Sequence, residues 1–496
     1  MQKGAHNMNL KEQTQPINER NIRNLFSHCA DVKFSYLQFD NSRISKILLV
    51  YCEGLYDPDK LQKEIITNLE DFVKNLNSDV YLKNVLTSLH LPSLEQHDSL
   101  EKIPEKIFNG ELLIYFLDFK ALFTVDISRH PQRTPTDPNT EISIKGPRDG
   151  FIEEISVNIA LVRKRFRSNT LHYEVFEKGK RTKTKIGLLY IKDVTNPKFI
   201  TEVKKRIEKI DIDGIISSSQ LKGLLLERPF TLFPVFAYTG RPDFVVDSLL
   251  RGRFVILIDG SPMALIGPAN LLLLLKSAED QEYIWVSNSF ERLLRIFGLF
   301  AAAFIPGFWI ALVTFHPDQI PLTLLTILVE SRQGVPFPSA IEAFIMLTLF
   351  ELFREAGMKL PIAIGQTLSV VGGLIIGDAA IRAGLTSPAM LVVIATSFVA
   401  TFTLVNQSLA GVISIVRLFT LFISALFGLW GFMVAVFFVF LYCASLRPFG
   451  VPYLAPVSWK SIQDMFSVYF RIPWKKLKNR PKMLNPNDAT KQGGTQ

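Results

Sequence analysis

The chain has 496 residues, a formal net charge of +9 and 48% hydrophobic residues, which allows two or three domains. Its three cysteines lie far apart and form no CxxC pair, so we expect neither a disulfide framework nor a zinc site. The basic excess lies beside a long apolar region, which favours membrane topology over nucleic-acid binding as its cause. Residues 1–290 are rich in charge and residues 293–446 are mostly apolar, which indicates a soluble part followed by a membrane part.

Residues 1–24 are polar and are predicted to form a disordered tail, because they carry too little apolar surface to fold. An α/β subdomain is predicted over residues 25–130. The short apolar run SKILLVYC is typical of a buried strand, and the next stretch has the spacing of an amphipathic helix. A hairpin is predicted to turn at Asp118-Phe119-Lys120.

A second α/β subdomain is predicted over residues 141–290, after a proline-rich loop that marks the boundary. Its first helix has an apolar face formed by Ile152, Ile155, Ile159 and Val162. The C-terminal end of this helix is basic, with Arg163, Lys164, Arg165 and Arg167. Cations there suit the negative end of the helix dipole. Two interpretations stay open for this basic end, a solvated face or a patch that binds phosphate or lipid headgroups. A hairpin that turns at Lys178-Gly179 follows.

The turn Asp259-Gly260 follows a predicted strand, Phe254 to Ile258, and invites a catalytic interpretation with Asp259 as base and Ser261 as nucleophile. No histidine or lysine lies nearby in sequence to activate that serine, so an ordinary turn is favoured. There is no P-loop, GxGxxG or HExxH motif, and the seven histidines are scattered singly. We therefore predict no catalytic residue, no metal ligand and no cofactor.

A polytopic helical membrane domain is predicted over residues 293–446. The first apolar run from Leu293 is long enough to cross about 30 Å of hydrocarbon, whereas PLTLLTILVE fits a half-helix or re-entrant turn. Prolines and glycines break the following sequence, and broken helices are tolerated at membrane depth only where protein or water satisfies the backbone. The further predicted segments are Ser339 to Phe353, Pro361 to Ile381, Pro388 to Val405 and an apolar tract from Leu409 to Leu446 interrupted by Arg417.

Charged residues inside this apolar region are candidates for an intramembrane function. They are Glu342, Glu351, Arg354, Glu355, Asp378 and Arg382. Such groups cost several kcal/mol in hydrocarbon unless they pair or face water. Asp378 and Arg382 are spaced to pair across one helical turn. Two roles stay open for these residues, an ion pathway or paired charges that stabilise subunit packing.

The stretch from Gln366 to Gly377 is predicted to be a helix with one polar, small-residue side and one apolar side. Small residues allow tight packing, and polar residues tolerate water. It is our pore-lining candidate, and the alternative is a tightly packed buried helix. The pore-lining candidates are Gln366, Ser369, Val370, Gly373 and Gly377.

The tail, residues 447–496, is basic, and the positive-inside rule places it in the cytoplasm. The N-terminal stretch has no apolar core typical of a secretory signal, so the soluble region is expected on the same side. Both ends inside require an even number of crossings, four or six.

Three long motifs carry a resemblance to a known family: PFPSAIEAFIMLTLFELFREAGMKLP, GQTLSVVGGLIIGDAAIRAGLTSPAM and GRFVILIDGSPMALIGP. With these motifs the chain resembles the A subunit of the GerA family of spore germinant receptors, from about Ile44 to Trp474. One departure is visible at Gly240, where the family usually has an acidic residue before Arg241. The ion pair made by that acid is therefore in doubt here.

The resemblance implies two cytoplasmic α/β subdomains followed by an α-helical integral membrane domain with broken or re-entrant helices. It also implies a nutrient-gated channel of the spore inner membrane that releases monovalent cations, most simply as a homopentamer. The implied partners are a transporter-like B subunit that binds the nutrient, a C subunit lipoprotein and membrane lipid, with no nucleic acid. The alternative is a secondary transporter for ions or small nutrients, although we find no internal repeat.

Overall fold

The computed structural model describes residues 16–39, 44, 46–74, 89, 91, 93–129, 146–359, 377–456 and 479–490. The chain divides into two compact units. The first comprises residues 1–229, 238–267 and 484–496, and the second comprises residues 230–237 and 268–483.

The strands form two five-stranded antiparallel sheets, with strand orders β1-β2-β4-β5-β3 and β6-β7-β9-β10-β8. In chain order the strands are β1 Val32–Gln38, β2 Lys46–Cys52, β3 Glu95–His97, β4 Glu111–Phe116, β5 Ala121–Asp126, β6 Leu171–Lys178, β7 Thr184–Ile191, β8 Ala237–Thr239, β9 Phe254–Ile258 and β10 Ala264–Gly267. The helices around the sheets are α1 Glu19–Leu25, α2 (Pro58–Lys60 and Thr67–Lys74, joined by the π-helical turn Leu61–Ile66), α3 Ile103–Phe108, α4 Ile155–Arg163, α5 Pro197–Glu208, α6 Ser218–Leu225 and α7 Pro242–Leu250.

The first sheet is covered on both faces, which explains why the run around β2 is apolar without alternation. Successive side chains of a strand point to opposite faces. Ile47 and Leu49 therefore join the core with α2, whereas Leu48 and Val50 join the core with α1 and α3. Burial on both faces makes every position of the strand apolar.

Both predicted hairpins are confirmed. β4 and β5 pair antiparallel around a turn at residues 117–120, where Lys120 has φ +49°. β6 and β7 pair from Leu171 with Ile191 to Lys178 with Thr184. The predicted strand Phe254–Ile258 is β9, and Gly260 in the following turn has φ +80°, a conformation that favours glycine.

The prediction for α4 is wrong at both ends. Ile152 precedes the helix and is 42% exposed, whereas Ile159 and Val162 are buried as predicted. Arg163 is fully buried instead of solvated. Arg165 is held by both carboxylate oxygens of Asp149 at 2.6 and 2.7 Å. Two of the four cations at this end are thus engaged in ion pairs within the first unit.

Arg163 joins the elements that carry the two sheets. Its Nε and Nη2 donate to the two carboxylate oxygens of Asp31 at 2.8 and 3.1 Å, and its guanidinium lies 3.9 Å from the ring centroid of Phe108. Burial alone lowers the pKa of Arg163, but the Asp31 carboxylate outweighs it and holds that pKa above its usual value. The pair is therefore charged and buried, and it requires both partners.

The second unit is helical. Its principal helices are α8 Leu271–Leu274, α9 Trp285–Phe315, α10 Leu322–Ser331, α11 Ser339–Lys359, α12 Pro388–Thr401 and α13 Gln407–Ser445. The segment predicted as a half-helix or re-entrant turn contains α10, a short helix of ten residues, none of them buried. α9 begins before the predicted Leu293, and α11 continues beyond the predicted Phe353. Of the predicted helix from Pro361 to Ile381, residues 377–382 are described and are helical, and residues 361–376 lie outside the described part of the chain.

Among the described residues, α9 and α13 are long and apolar enough to cross a membrane, by length and composition. α9 contains Pro306, which has no N–H to donate to the carbonyl of Ala302. Ser397 of α12 donates its hydroxyl to that carbonyl at 2.9 Å. The neighbouring Ala303 carbonyl accepts from Thr420 of α13, also at 2.9 Å. Ala301, Ala302 and Ala303 are buried, and their small side chains let the three helices meet closely here.

α13 reverses its direction at Gly428. This residue has φ +62° and ψ −144°, which a helix does not allow. A Cβ added there would also lie 2.7 Å from the Cγ of Phe315. A Cβ added at Gly431 would lie 2.6 Å from the carbonyl oxygen of Ile423, eight residues earlier, whereas eight residues of straight helix span about 12 Å.

The contacts of α13 with α9 show the same reversal, because they first ascend and then descend along α9. The pairs are Thr420 with Ala303, Gly428 with Phe315, Phe432 with Phe308 and Phe440 with Phe300. Residues 407–427 and 429–445 are therefore two antiparallel helical segments. The reversal could not be predicted from sequence, because Gly428 lies between apolar residues with no turn-forming run around it.

Candidate functional site

Of the pore-lining candidates, Gly377 lies in the described part of the chain, and Gln366, Ser369, Val370 and Gly373 fall outside it. Gly377 is helical, as are the described residues that follow it up to Arg382. A Cβ added at Gly377 would lie 3.3 Å from Leu391 of α12, so this glycine faces a packed neighbour with little room for a larger residue.

The charged candidates of α11 meet a third charge from α13. Glu351 accepts from Arg417 Nη2 through one carboxylate oxygen at 2.5 Å, and it pairs with Arg354 Nη2 through the other at 2.7 Å. Ser414 Oγ accepts from both guanidinium groups, at 2.8 Å from Arg354 and 3.1 Å from Arg417. We call Glu351, Arg354, Arg417 and Ser414 the Glu351 cluster. One carboxylate and two guanidinium groups give it a net charge of +1.

The Glu351 cluster extends to α12 through neutral oxygens. Arg417 Nη1 donates to Thr401 Oγ1 at 3.3 Å and to Ser397 Oγ at 3.3 Å. Ser397 is the residue that satisfies the Ala302 carbonyl freed by Pro306. Arg417 is fully buried, whereas Glu351 keeps 20% of its side chain exposed. One buried guanidinium thus connects α11, α12 and α13, and through Ser397 it reaches the Ala302 carbonyl of α9.

Arg417 is the residue that the sequence analysis underestimated, since it appears there only as an interruption of the apolar tract. A lone cation in an apolar run needs a partner, and Glu351 was the carboxylate within an apolar helix that could supply one. The two residues are 66 positions apart, so local spacing could not join them.

Glu342 is buried at the N-terminus of α12. Its Oε1 accepts from the backbone N–H of Ser387 at 2.6 Å, from the Ser387 hydroxyl at 2.7 Å and from Thr386 at 3.0 Å. A carboxylate is favoured there by the positive end of the helix dipole. Arg332 approaches the other oxygen at 4.0 Å, beyond a hydrogen bond. These contacts hold the Glu342 side chain between α11 and the start of α12.

The remaining charged candidates form exposed ion pairs. Arg382 and Asp378 are 2.8 Å apart, as their spacing predicts, and their side chains are 80% and 58% exposed. Glu355 pairs with Lys359 at 2.9 Å and does not join the Glu351 cluster. Exposed pairs of this kind contribute little to the stability of a single chain.

The turn residues of the first unit have structural partners. Asp259 accepts from the backbone N–H of Ile155 at the start of α4, at 3.3 Å. Arg241, which follows Gly240, is bound by both carboxylate oxygens of Asp243 at 2.7 and 3.1 Å. Asp243 thus supplies a partner for Arg241 where the usual acidic neighbour is missing.

Comparisons with known proteins cover almost the whole chain. The model of the Bacillus/Clostridium GerA spore germination protein family matches residues 20–483. The chain is 45% identical to spore germination protein XA of Bacillus anthracis, over 97% of this chain and 98% of that protein. It is 34% identical to spore germination protein KA of Bacillus subtilis (strain 168), with 91% and 83% covered.

The chain is also 33% identical to the uncharacterized membrane protein YfkQ of Bacillus subtilis (strain 168), over 95% of this chain and 91% of that protein. Among solved structures, it is similar to the N-terminal domain of the A subunit of the Bacillus megaterium spore germinant receptor GerK3. That match has 25% sequence identity and a TM-score of 0.37, and it covers 50% of this chain and 92% of the other.

Proposed function

Since the chain belongs to the GerA family of spore germination proteins and is the A subunit of a germinant receptor, we propose that it forms a nutrient-gated ion channel. An A subunit implies B and C subunits as partners. In this proposal the B subunit binds the nutrient, and the C subunit is a lipoprotein of the same receptor. Binding shifts the A subunit toward an open pore that releases monovalent cations from the spore and starts germination.

The Glu351 cluster is the observation that carries this proposal. Charged side chains among apolar membrane helices are costly and are usually kept for a function. Here the Glu351 carboxylate of α11 serves two guanidinium groups, and one of them, Arg417 of α13, also donates to Ser397 and Thr401 of α12. A contact of this kind has a second arrangement, in which Glu351 keeps one arginine and releases the other. We propose that the Glu351 cluster stabilises the closed state of the channel.

The pore itself is assigned to the segment from Gln366 to Gly377, on its sequence pattern. Val370 is the apolar side chain proposed to exclude water from the constriction, with Gln366, Ser369, Gly373 and Gly377 on the pore wall. Asp378 and Arg382 continue this segment, and both are exposed in the single chain. Exposed charges between apolar helices need water or a second subunit, which supports an oligomer, proposed as a pentamer, around a wet path.

The proposed location is the spore inner membrane, with the soluble region and the basic tail in the cytoplasm. Two long apolar helices support membrane association. α9 and α13 also expose large apolar side chains along much of their length, including Phe297, Phe308, Trp430 and Phe437. Lipid or neighbouring subunits would cover these surfaces.

Cation flux from vesicles tests the function. The chain is reconstituted with its B and C subunits in potassium-loaded liposomes, and release is followed with and without a panel of small nutrients. We expect no release at rest and rapid release with the nutrient. In Glu351→Gln the two arginines lose their shared anion, so we expect a resting leak at matched protein level.

Glu355→Gln is the matched control, because Glu355 lies on the same helix and its pair with Lys359 is exposed. This variant should behave like the unmodified chain. Nutrient-dependent release that persists when the A subunit is omitted would contradict the proposal. Release that runs only in exchange with a second solute would favour the secondary transporter instead.

A further inference from the structure

Two histidines that are distant in sequence meet in the first unit. His28 lies in the turn before β1, and His172 is the second residue of β6. Their imidazole rings are stacked, with centroids 4.5 Å apart and planes inclined by 14°. His172 is buried and His28 is exposed. The fold therefore brings together side chains that the sequence shows only as isolated histidines.

Backbone hydrogen bonds fix the main chain at both histidines, whereas the exposed His28 ring can still rotate. The N–H of Tyr173 donates to the carbonyl of His28 at 2.9 Å, and the N–H of Ala30 donates to the carbonyl of Tyr173 at 3.1 Å. These bonds form a short parallel bridge between the turn and β6. Neither histidine can move away without breaking contacts between the elements that carry the two sheets.

The hydrogen bonds of His172 leave one ring nitrogen available. The Tyr190 hydroxyl donates to Glu174 Oε1 at 2.6 Å, so its oxygen accepts from His172 Nδ1 at 3.2 Å. This assignment puts the ring proton on Nδ1 and leaves the lone pair on Nε2. Metal-bound histidines commonly have such a partner on the other nitrogen. Burial, and then the neighbouring His28, lower the pKa of His172 to about 4, so the ring is neutral at pH 7.

We propose that His28, His172 and Glu174 form a site for a divalent transition metal, and specifically for Zn²⁺. One ring nitrogen of each histidine and one carboxylate oxygen of Glu174 all lie within 4.8 Å of one another. Two imidazoles and one carboxylate are a common donor set for zinc, with the fourth position left for water. A cavity of about 250 Å³ opens beside both histidines and gives access to the site.

Two movements convert the observed arrangement into a metal site. The exposed His28 ring turns out of the stack so that its nitrogen faces the ion. Glu174 releases Lys204, whose Nζ is 2.7 Å from its carboxylate. Lys192 also lines the cavity, and the two cations reduce the affinity for a metal ion. The bound ion would link the turn before β1 to strand β6.

Zinc titration of the full chain in detergent tests this site. The protein is purified without a polyhistidine tag, treated with a chelator and titrated with Zn²⁺ against a competing chromogenic chelator. We expect one tight site per chain and at least a tenfold loss of affinity in His28→Ala. His28 is exposed, so this variant should fold, which its unfolding temperature checks. His97→Ala is the control and should bind like the unmodified chain.

A second variant is expected to bind zinc more tightly, a result that misfolding could not produce. Lys204→Met frees the Glu174 carboxylate, so we expect several-fold tighter zinc binding, and adding Glu174→Gln should abolish that gain. Equal zinc affinity in the unmodified chain and His28→Ala would overturn the proposal. So would a cavity that binds inorganic phosphate but no zinc, because the two lysines would then define an anion site.

Discussion

Arg163 and Arg417 are both buried, and each is surrounded by acceptors in addition to its carboxylate. Arg163 Nη1 donates to the carbonyl of Ser168 at 2.9 Å, besides its two bonds to Asp31. Arg417 adds Ser414, Ser397 and Thr401 to Glu351. A buried guanidinium needs this number of acceptors, because a single pair does not repay the loss of water. These two residues are therefore expected to tolerate substitution poorly.

At the same scale, His172 makes the stability of the first unit depend on pH. Its pKa is about 4 in the folded chain and 6.5 ordinarily, so protons bind the unfolded chain more tightly. The neutral His172 ring therefore contributes about 3 kcal/mol to the free energy of unfolding above pH 6.5. This contribution is lost as the pH falls toward 4. This loss is measured by unfolding the protein in urea at each pH, with proteolysis of the first unit as the probe of unfolding and a metal chelator present.

His172→Gln has no titratable group at this position. Its unfolding free energy should change less between pH 6.5 and 4 than that of the unmodified chain. An identical pH dependence in the two proteins would assign the loss to other groups.

Sequence spacing predicts local pairs and misses distant ones. Asp378 and Arg382, one helical turn apart, pair as expected. Arg163 was expected at a solvated helix end, yet its partner Asp31 lies 132 positions earlier and draws it into the interior. The helix end is basic as the sequence shows, but its exposure could not be predicted, because burial depends on tertiary contacts.

At the scale of elements, the contact between α9 and α12 at Pro306 depends on one hydroxyl. Pro306 frees the Ala302 carbonyl, and Ser397 supplies the donor. Ser397→Ala leaves this carbonyl unpaired and also removes an acceptor from Arg417. We expect a loss of about 1–3 kcal/mol in stability, the usual effect of an unsatisfied buried polar group. Thermal unfolding in detergent measures it.

A double substitution separates the two effects of Ser397. Pro306→Ala restores an N–H that can bond Ala302, so Ser397→Ala should cost less in that background. Additive losses would mean that Ser397 acts through Arg417 alone. Ser331→Ala on α10 is the control, because its hydroxyl bonds only within its own helix, to Leu328.

Elements with a strong local signal were predictable. The hairpins and β9 have short apolar runs bounded by turn residues, and α10 has its length limited by flanking polar residues. The reversal in α13 has no such signal, because the turn is made by one glycine between apolar residues. Its physical cause is the φ of Gly428 and the fit of Phe315 against it, and neither is visible in composition.

For the whole molecule, the reversal predicts membrane topology. The segments 407–427 and 429–445 are about 31 and 26 Å long, so each approximately matches the hydrocarbon thickness. Gln407→Cys and Ser445→Cys should therefore be labelled from one side of the membrane and Leu429→Cys from the other. Impermeant maleimide labelling of oriented vesicles checks this, with the unmodified chain, whose three cysteines are buried, as the control.

Labelling of residues 407 and 445 from opposite sides would show a single crossing and contradict the reversal.

The division of the chain into a charged part and an apolar part was visible in composition alone. The number of crossings was not, because no proline and no polar run divides the tract from Leu409 to Leu446 or marks where one crossing ends.

The net charge of the Glu351 cluster has an electrical consequence in the proposed membrane setting. Moving one elementary charge through a potential of 100 mV involves about 2.3 kcal/mol of work. Any shift of the cluster along the membrane normal during opening would make the transmembrane voltage act on the same equilibrium as the nutrient. Arg354→Gln removes the excess charge and leaves Arg417 paired with Glu351. In the proposed channel, a dormant spore that keeps its ion gradients would thus act on its own receptors through the membrane voltage, and their first opening would change that influence.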